Sequence, residues 1–195
     1  MTGVPLAELA PGPIAIPHAH LRQRVVQLAD AISDEHPQGI TLVAILPEAR
    51  TFAVDLAADL GVPCRLDAVE LAPYRAGGRA ALARGPARPV RGRTLLAVAT
   101  VVDTGLRLRF AVAELRRLGA RDVRACALLD RRDRRLWEDL PLDHIGFRAP
   151  DALFVGYGLG TARELDHLPD IRYADDATAQ RIRRQRGGES ASASA

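Results

Sequence analysis

The chain has 195 residues, 48% apolar and 26% charged, the balance of a water-soluble globular protein long enough to bury a real core. All 27 basic residues are arginine, which excludes lysine chemistry such as Schiff bases or a P-loop lysine. A net charge of +3 is too small to argue for nucleic acid, and no apolar run approaches the roughly 18 residues of a membrane span. The first residues lack a basic start and an apolar signal core, and Cys64 and Cys126 read as isolated thiols, so a cytoplasmic protein is expected.

Residues 1–18, with Pro5, Pro11, Pro13 and Pro17, read as an irregular arm before a domain over 19–176. From Ala19 to Ser33, Leu21, Val25, Leu28, Ala29 and Ile32 recur at helical spacing. Ile40 to Leu46 is a wholly apolar strand closed by Pro47, and Thr51 to Gly61 a helix that stops at glycine. Cys64 to Leu71 alternates like a half-buried strand, whereas Pro73 to Arg93 is rich in arginine and glycine and reads as a long functional loop. A strand from Thr94, a helix over 108–119, a strand over 123–130 and short strands in HIGFRA and ALFVGYG complete the domain. Residues 177–195 form a polar tail without a core.

Apolar strands alternating with amphipathic helices imply a mainly parallel sheet covered on both faces, with ligands at the carboxyl ends of the strands. Loops at Pro47–Arg50, 103–107, 130–132 and 154–160 then surround one crevice. Asp103-Thr104-Gly105-Leu106-Arg107 follows a strand and opens a helix, as in a phosphate cradle, where backbone N–H groups attract an anion and glycine permits close approach. The same five residues read equally well as an ordinary strand-to-helix turn capped by Asp or Thr.

Taken in order, VAIL, the long loop, VVDTGL, LLDRRDRR, HIGFRAPD and FVGYGL resemble the hypoxanthine-guanine phosphoribosyltransferases, over about Leu21 to Tyr173. The resemblance implies a type I phosphoribosyltransferase fold, α/β with a mainly parallel central sheet flanked by helices and a small hood. It also implies exchange of the pyrophosphate of phosphoribosyl pyrophosphate for a purine with magnesium, in a homodimer or homotetramer. By position it assigns Asp103 to the acid that faces purine N7, and Thr104, Gly105, Leu106 and Arg107 to the 5′-phosphate. Arg131 falls where a lysine reads the 6-oxo group, Phe154 where an aromatic stacks on the base, and Val155 at the purine edge. Pro73 and Tyr74 stand where the mobile loop has Ser-Tyr.

The rest of the family's pattern is altered. The acidic pair that grips the ribose hydroxyls, directly or through magnesium, reads Ala99-Thr100, and the aspartate after FVGYGL reads Gly160. Asp166 falls at an arginine position, and the pyrophosphate loop, usually Lys-Gly, reads Pro47-Glu48. Magnesium takes oxygen ligands and pyrophosphate departure needs cations, so the usual donor chemistry is expected to be impaired. Two functions stay open: an enzyme acting on a purine N-glycosidic bond with an unusual donor or reaction, or a non-catalytic nucleotide-binding regulator or partner subunit. No metal ligands are assigned; His18 and His20 lack an evident third ligand and read as surface residues. The arginine runs at 131–135 and 181–186 read as solvated, so neither nucleic acid nor membrane is an expected partner.

Overall fold

The computed structural model describes residues 12–72, 81–160, 165–176 and 178–180. They fall into two compact units: a larger one over 22–72 and 81–151, and a smaller one from the described residues of 12–21 and 152–180.

The larger unit is built on a six-stranded sheet. Its strands are β2 (Ile40–Leu46), β3 (Cys64–Leu71), β4 (Leu82–Arg84), β5 (Thr94–Val102), β6 (Asp122–Asp130) and β7 (His144–Arg148), ordered β4-β3-β2-β5-β6-β7. All neighbours are parallel except β4, which closes the β3 edge antiparallel. The central strands β2, β5 and β6 are apolar and buried along almost their whole length, as strands covered on both faces must be. Alternation then divides their side chains. Val43, Ile45, Leu95, Ala97, Val123 and Ala125 pack with Leu108, Ala111, Val112 and Leu115 of helix α3 (Leu106–Arg117) on one face. Leu42, Ala44, Leu96, Val98 and Leu128 point to the opposite face. Helix α2 (Arg50–Asp59) adds Phe52, Ala53 and Leu56, all buried and none in the α3 cluster.

Helix α1 (His18–Glu35) buries the predicted stripe of Leu21, Val25, Leu28, Ala29 and Ile32. Its polar face is tied down as well: Arg22 donates to both oxygens of Asp59 at 3.0 and 2.9 Å, and Arg24 to the carbonyls of Ile145 and Gly146, each at 2.8 Å. Among the described residues no helix is long and apolar enough to cross a membrane.

The smaller unit holds a three-stranded antiparallel sheet in the order β1 (Ile14–Ile16), β9 (Ile171–Tyr173), β8 (Phe154–Val155). The irregular arm expected over 1–18 is thus corrected in part. Ile14 and Ile16 pair with β9, and α1 already begins at His18. Pro13 and Pro17 flank this strand instead of interrupting its ladder, and the Pro13 carbonyl accepts the Tyr173 N–H at 3.0 Å. Residues 1–11 lie outside the described residues. The loop expected over 73–93 contains β4, and 178–180, expected in the tail, are helical.

Candidate active site at the β2–β5 switch point

From β2 the chain crosses through α2 to β3 on one side, and from β5 through α3 to β6 on the other. The winding therefore reverses between β2 and β5, the point in such sheets where ligands bind in a crevice beyond the carboxyl ends of the strands. The Pro47–Ala49 corner, entered through a cis Leu46–Pro47 peptide, and the Asp103–Gly105 turn form its two sides.

Three hydrogen-bonding contacts span this crevice. The Thr100 hydroxyl, almost wholly buried, donates to the Glu48 carbonyl at 2.7 Å. The Arg107 guanidinium donates to the Leu46 carbonyl at 2.9 Å and meets the Glu48 carboxylate at 3.4 Å. Thr100 and Glu48, two of the positions at which the sequence departs from the family pattern, are thus in direct contact. Ala99 offers no oxygen side chain and Thr100 has committed its own, so these two residues do not fit a magnesium ion. Among the described residues no group of three or more His, Cys, Asp or Glu is placed to hold a metal, and His18 and His20 are exposed.

The turn after β5 is not capped by Asp or Thr in the ordinary way. The residue before the first turn of α3 is Gly105, at φ +83°, and no side chain caps the helix there. The Thr104 hydroxyl accepts the Leu106 N–H only at 3.4 Å, and the Leu106 side chain is exposed. The positive φ calls for glycine at this position, and a Cβ there would also push on the methyl ends of Leu140. The helix start is left without a carboxylate cap, an arrangement that suits an anion.

Beside the turn, Asp103 is enclosed by arginines. Arg134 Nε lies 2.6 Å and Arg131 3.5 Å from its Oδ1. Asp151, after β7, pairs with the same two arginines, meeting Arg131 closely and Arg134 at 3.0 Å. The Arg134 hydrogen bonds, with the charges of Arg134 and Arg131, hold the Asp151 carboxyl below the usual carboxylate range. Arg131 itself is buried, with its Nε left without a hydrogen-bond partner. One residue further back, Asp130 is 1% exposed and accepts from Arg135 Nε at 2.8 Å. The Asp and the last Arg of LLDRRDRR are therefore a structural pair that closes the loop carrying Arg131 and Arg134.

The larger unit thus brings together Asp103, Thr104, Gly105, Arg107 and Arg131. Sequence reasoning missed Arg134 and Asp151; the PD of HIGFRAPD and the second arginine pair of LLDRRDRR are their only signals. In the smaller unit, Phe154 packs its ring against Tyr173, with centroids 5.5 Å apart and a 35° tilt, and Val155 is fully buried opposite Arg172. The strand ends in a turn with Gly156, Tyr157, Gly158 and Gly160 all at positive φ. The backbone carbonyl of Asp166 accepts the Gly158 N–H at 2.8 Å. Pro73 and Tyr74 lie outside the described residues.

A model of the phosphoribosyl transferase domain matches residues 18–145 of this chain. A hypoxanthine phosphoribosyltransferase of Salmonella typhimurium is 30% identical over 168 residues, which cover 81% of this chain and 92% of that protein. The chain belongs to the hypoxanthine-guanine phosphoribosyltransferase family. A hypoxanthine-guanine phosphoribosyltransferase of Bacillus subtilis is 27% identical over 163 residues, covering 81% of this chain and 90% of the other. The crystal structure of a hypoxanthine-guanine phosphoribosyltransferase of Bacillus anthracis superposes with a TM-score of 0.78 at 26% identity, over 84% of this chain and 98% of that one. The type I phosphoribosyltransferase fold is accordingly that of this family member, and its switch-point crevice is the place where the family's site is to be sought.

Proposed function

We propose that this phosphoribosyltransferase-like chain holds a purine-type base or nucleotide with a 5′-phosphate and no longer carries out the usual magnesium-dependent exchange on phosphoribosyl pyrophosphate. The observation that carries this reading is the set of ties from Thr100 and Arg107 to the Leu46–Glu48 corner. They fill the pyrophosphate side of the crevice with a carboxylate and its counter-ion. On this reading Thr104, Gly105, Leu106 and Arg107 take the 5′-phosphate, Arg131 reads an exocyclic oxygen, and Phe154 and Val155 hold the base. Asp103 handles a proton of the base, with an unusual donor or a nucleotide as reactant. The chain works in the cytoplasm as a homodimer or homotetramer.

A second reading, a non-catalytic nucleotide-binding regulator or partner subunit, is favoured by the surroundings of Asp103. Its carboxylate already pairs with Arg134 at 2.6 Å and Arg131 at 3.5 Å, so within this chain its charge has ionic partners other than a reacting base. Calorimetry with purine nucleoside monophosphates, with and without magnesium, tests what both readings share. Metal-independent binding is expected, weakened about tenfold or more in Phe154→Ala, since stacking on an aromatic ring is worth roughly 1–3 kcal/mol per base. Asp103→Asn should weaken it too. Monophosphate binding that requires magnesium, or no binding at all, would sink the shared part. Formation of a product from a monophosphate, followed by chromatography, separates the enzyme from the binding module.

Glu48 provides a finer check. Its pair with the exposed Arg107 is weak, and its charge opposes an incoming phosphate. Glu48→Gln is expected to tighten monophosphate binding by about fivefold, on the order of 1 kcal/mol. Unchanged or weaker binding would show that Arg107 does not reach the phosphate.

A further inference from the structure

The opposite end of the larger unit's sheet carries a feature that the switch-point crevice does not use. At the amino ends of β2, β3 and β5 lies a cleft of about 390 Å³, lined among others by Ile40, Thr41, Cys64, Arg65, Arg93 and Arg121. β2 and β5 have seven and nine residues, so this cleft lies roughly 20–26 Å from their carboxyl ends. Three arginines and no acid line it. The carboxylates closest along the chain are committed elsewhere. Asp67 accepts the N–H groups of Ala68, Ala87 and Arg88 at 2.8, 2.9 and 3.1 Å, and Asp122 pairs with Arg124 at 3.5 Å. Among the described residues none of the three arginines has a carboxylate partner.

The walls are fixed in advance. Gly92 N–H donates to the Gly119 carbonyl at 2.8 Å and Arg121 N–H to the Arg93 carbonyl at 2.9 Å, which zips together the two turns that enter β5 and β6. Arg121 also donates to the Thr94 hydroxyl at 2.8 Å, and Arg93 Nε to the Pro89 carbonyl at 3.2 Å, so part of each guanidinium is anchored and the rest is available. On the other side Gly39, at φ +94°, lies so close to Pro63 that a Cβ would come within 2.5 Å of its carbonyl oxygen. Like charges gathered at one concave place repel unless an anion joins them, and the guanidinium fork matches phosphate oxygens. The volume is at the small end of ligand pockets.

We infer that this cleft is a second anion site, which takes a compact polyphosphorylated small molecule between Arg65, Arg93 and Arg121. It is independent of the reading of the switch-point crevice. The three arginines line one cleft of about 390 Å³, a volume that suits a small molecule better than an extended polyanion.

The experiment uses the full chain and inorganic pyrophosphate as probe. Calorimetry should find a pyrophosphate-binding component that falls about tenfold or more in Arg65→Gln/Arg93→Gln and survives in Thr104→Ala/Arg107→Gln. Arg65→Gln alone is the conservative variant, because that side chain makes no hydrogen bond among the described residues, and it should lose part of the same component. A second readout needs no substitution. Cys64 lines the cleft whereas Cys126 is fully buried, so iodoacetamide labelling reports Cys64. Saturating pyrophosphate should slow that labelling several-fold. The inference is overturned if pyrophosphate leaves the labelling rate unchanged, or if all binding vanishes with Thr104→Ala/Arg107→Gln. It is equally overturned if a single-stranded oligonucleotide displaces pyrophosphate at matched phosphate concentration, which would make the face a nucleic-acid surface.

Discussion

Supplied with phosphoribosyl pyrophosphate, magnesium and hypoxanthine or guanine, the chain is expected to form nucleoside monophosphate at least about a thousandfold more slowly than a family member with the acidic pair. Removing a single preorganised electrostatic contact to developing charge typically costs about 10²–10³ in rate. Here several such contacts differ at once. Ala99 has no oxygen side chain, the Thr100 hydroxyl is spent on the Glu48 carbonyl, and Glu48 brings a negative charge to the corner where a leaving pyrophosphate would gather its own. Chromatographic assay of the monophosphate measures this directly, and brisk formation would refute the proposed impairment. The geometry also forecasts how repair behaves. Thr100→Asp alone should recover little, because a carboxylate cannot donate to the Glu48 carbonyl and would lie beside it. Recovery of even tenfold should require the Pro47-Glu48 corner to be changed together with Ala99 and Thr100.

The second large effect concerns stability. Asp130→Ala is expected to destabilise the larger unit by about 3–5 kcal/mol, the usual result of removing one partner of a buried ion pair. Asp130 is 1% exposed and Arg135 11%, so the guanidinium would be left without its carboxylate in a largely dry place. For a chain of this size that is a fall in melting temperature of roughly 6–20 °C, read by the loss of sheet signal on heating. Asp130→Asn should fall between, since it keeps an acceptor and loses the charge. Replacing both partners by leucine should recover much of the loss, because well-packed apolar residues avoid the desolvation of two charges. A melting temperature for Asp130→Ala within about 2 °C of the parent chain would mean that the pair contributes little.

These two cases mark where the sequence was informative. Fold class was open to reading because β2, β5 and β6 are nearly unbroken apolar runs, and because the spacing of Leu21, Val25, Leu28 and Ile32 fits one helical face. The Asp103 turn was legible for the same local reason, a strand followed at once by glycine and a helix. Contacts between segments distant in the chain were not legible. Thr100 and Glu48 lie 52 positions apart, and nothing local in either stretch announces that one holds the other. Arg134 looked like one more solvated arginine, since a run of like charges carries no signal of which member will turn inward towards Asp103 and Asp151. β1 was hidden for another reason: the prolines that bracket it suggest irregularity, although Pro13 needs only its carbonyl to join β9 and neither proline has to donate an N–H. The division into two units likewise depends on segments joined across the whole length of the chain.

The ties across the crevice also bear on how substitutions combine. Glu48, Thr100 and Arg107 each serve as the surroundings of another, so the effect of changing one depends on what stands at the other two. A lone return to an acid at position 100 would put that acid against a carbonyl, and a lone return to a small residue at 107 would leave Glu48 without its counter-ion. The change at position 100 is expected to depend most on its partner, since Thr100 is buried, whereas the exposed Glu48–Arg107 pair is weak and a change there costs little. The corner is therefore expected to be epistatic: substitutions at Glu48, Thr100 and Arg107 should not combine additively, because each changes the surroundings in which another acts.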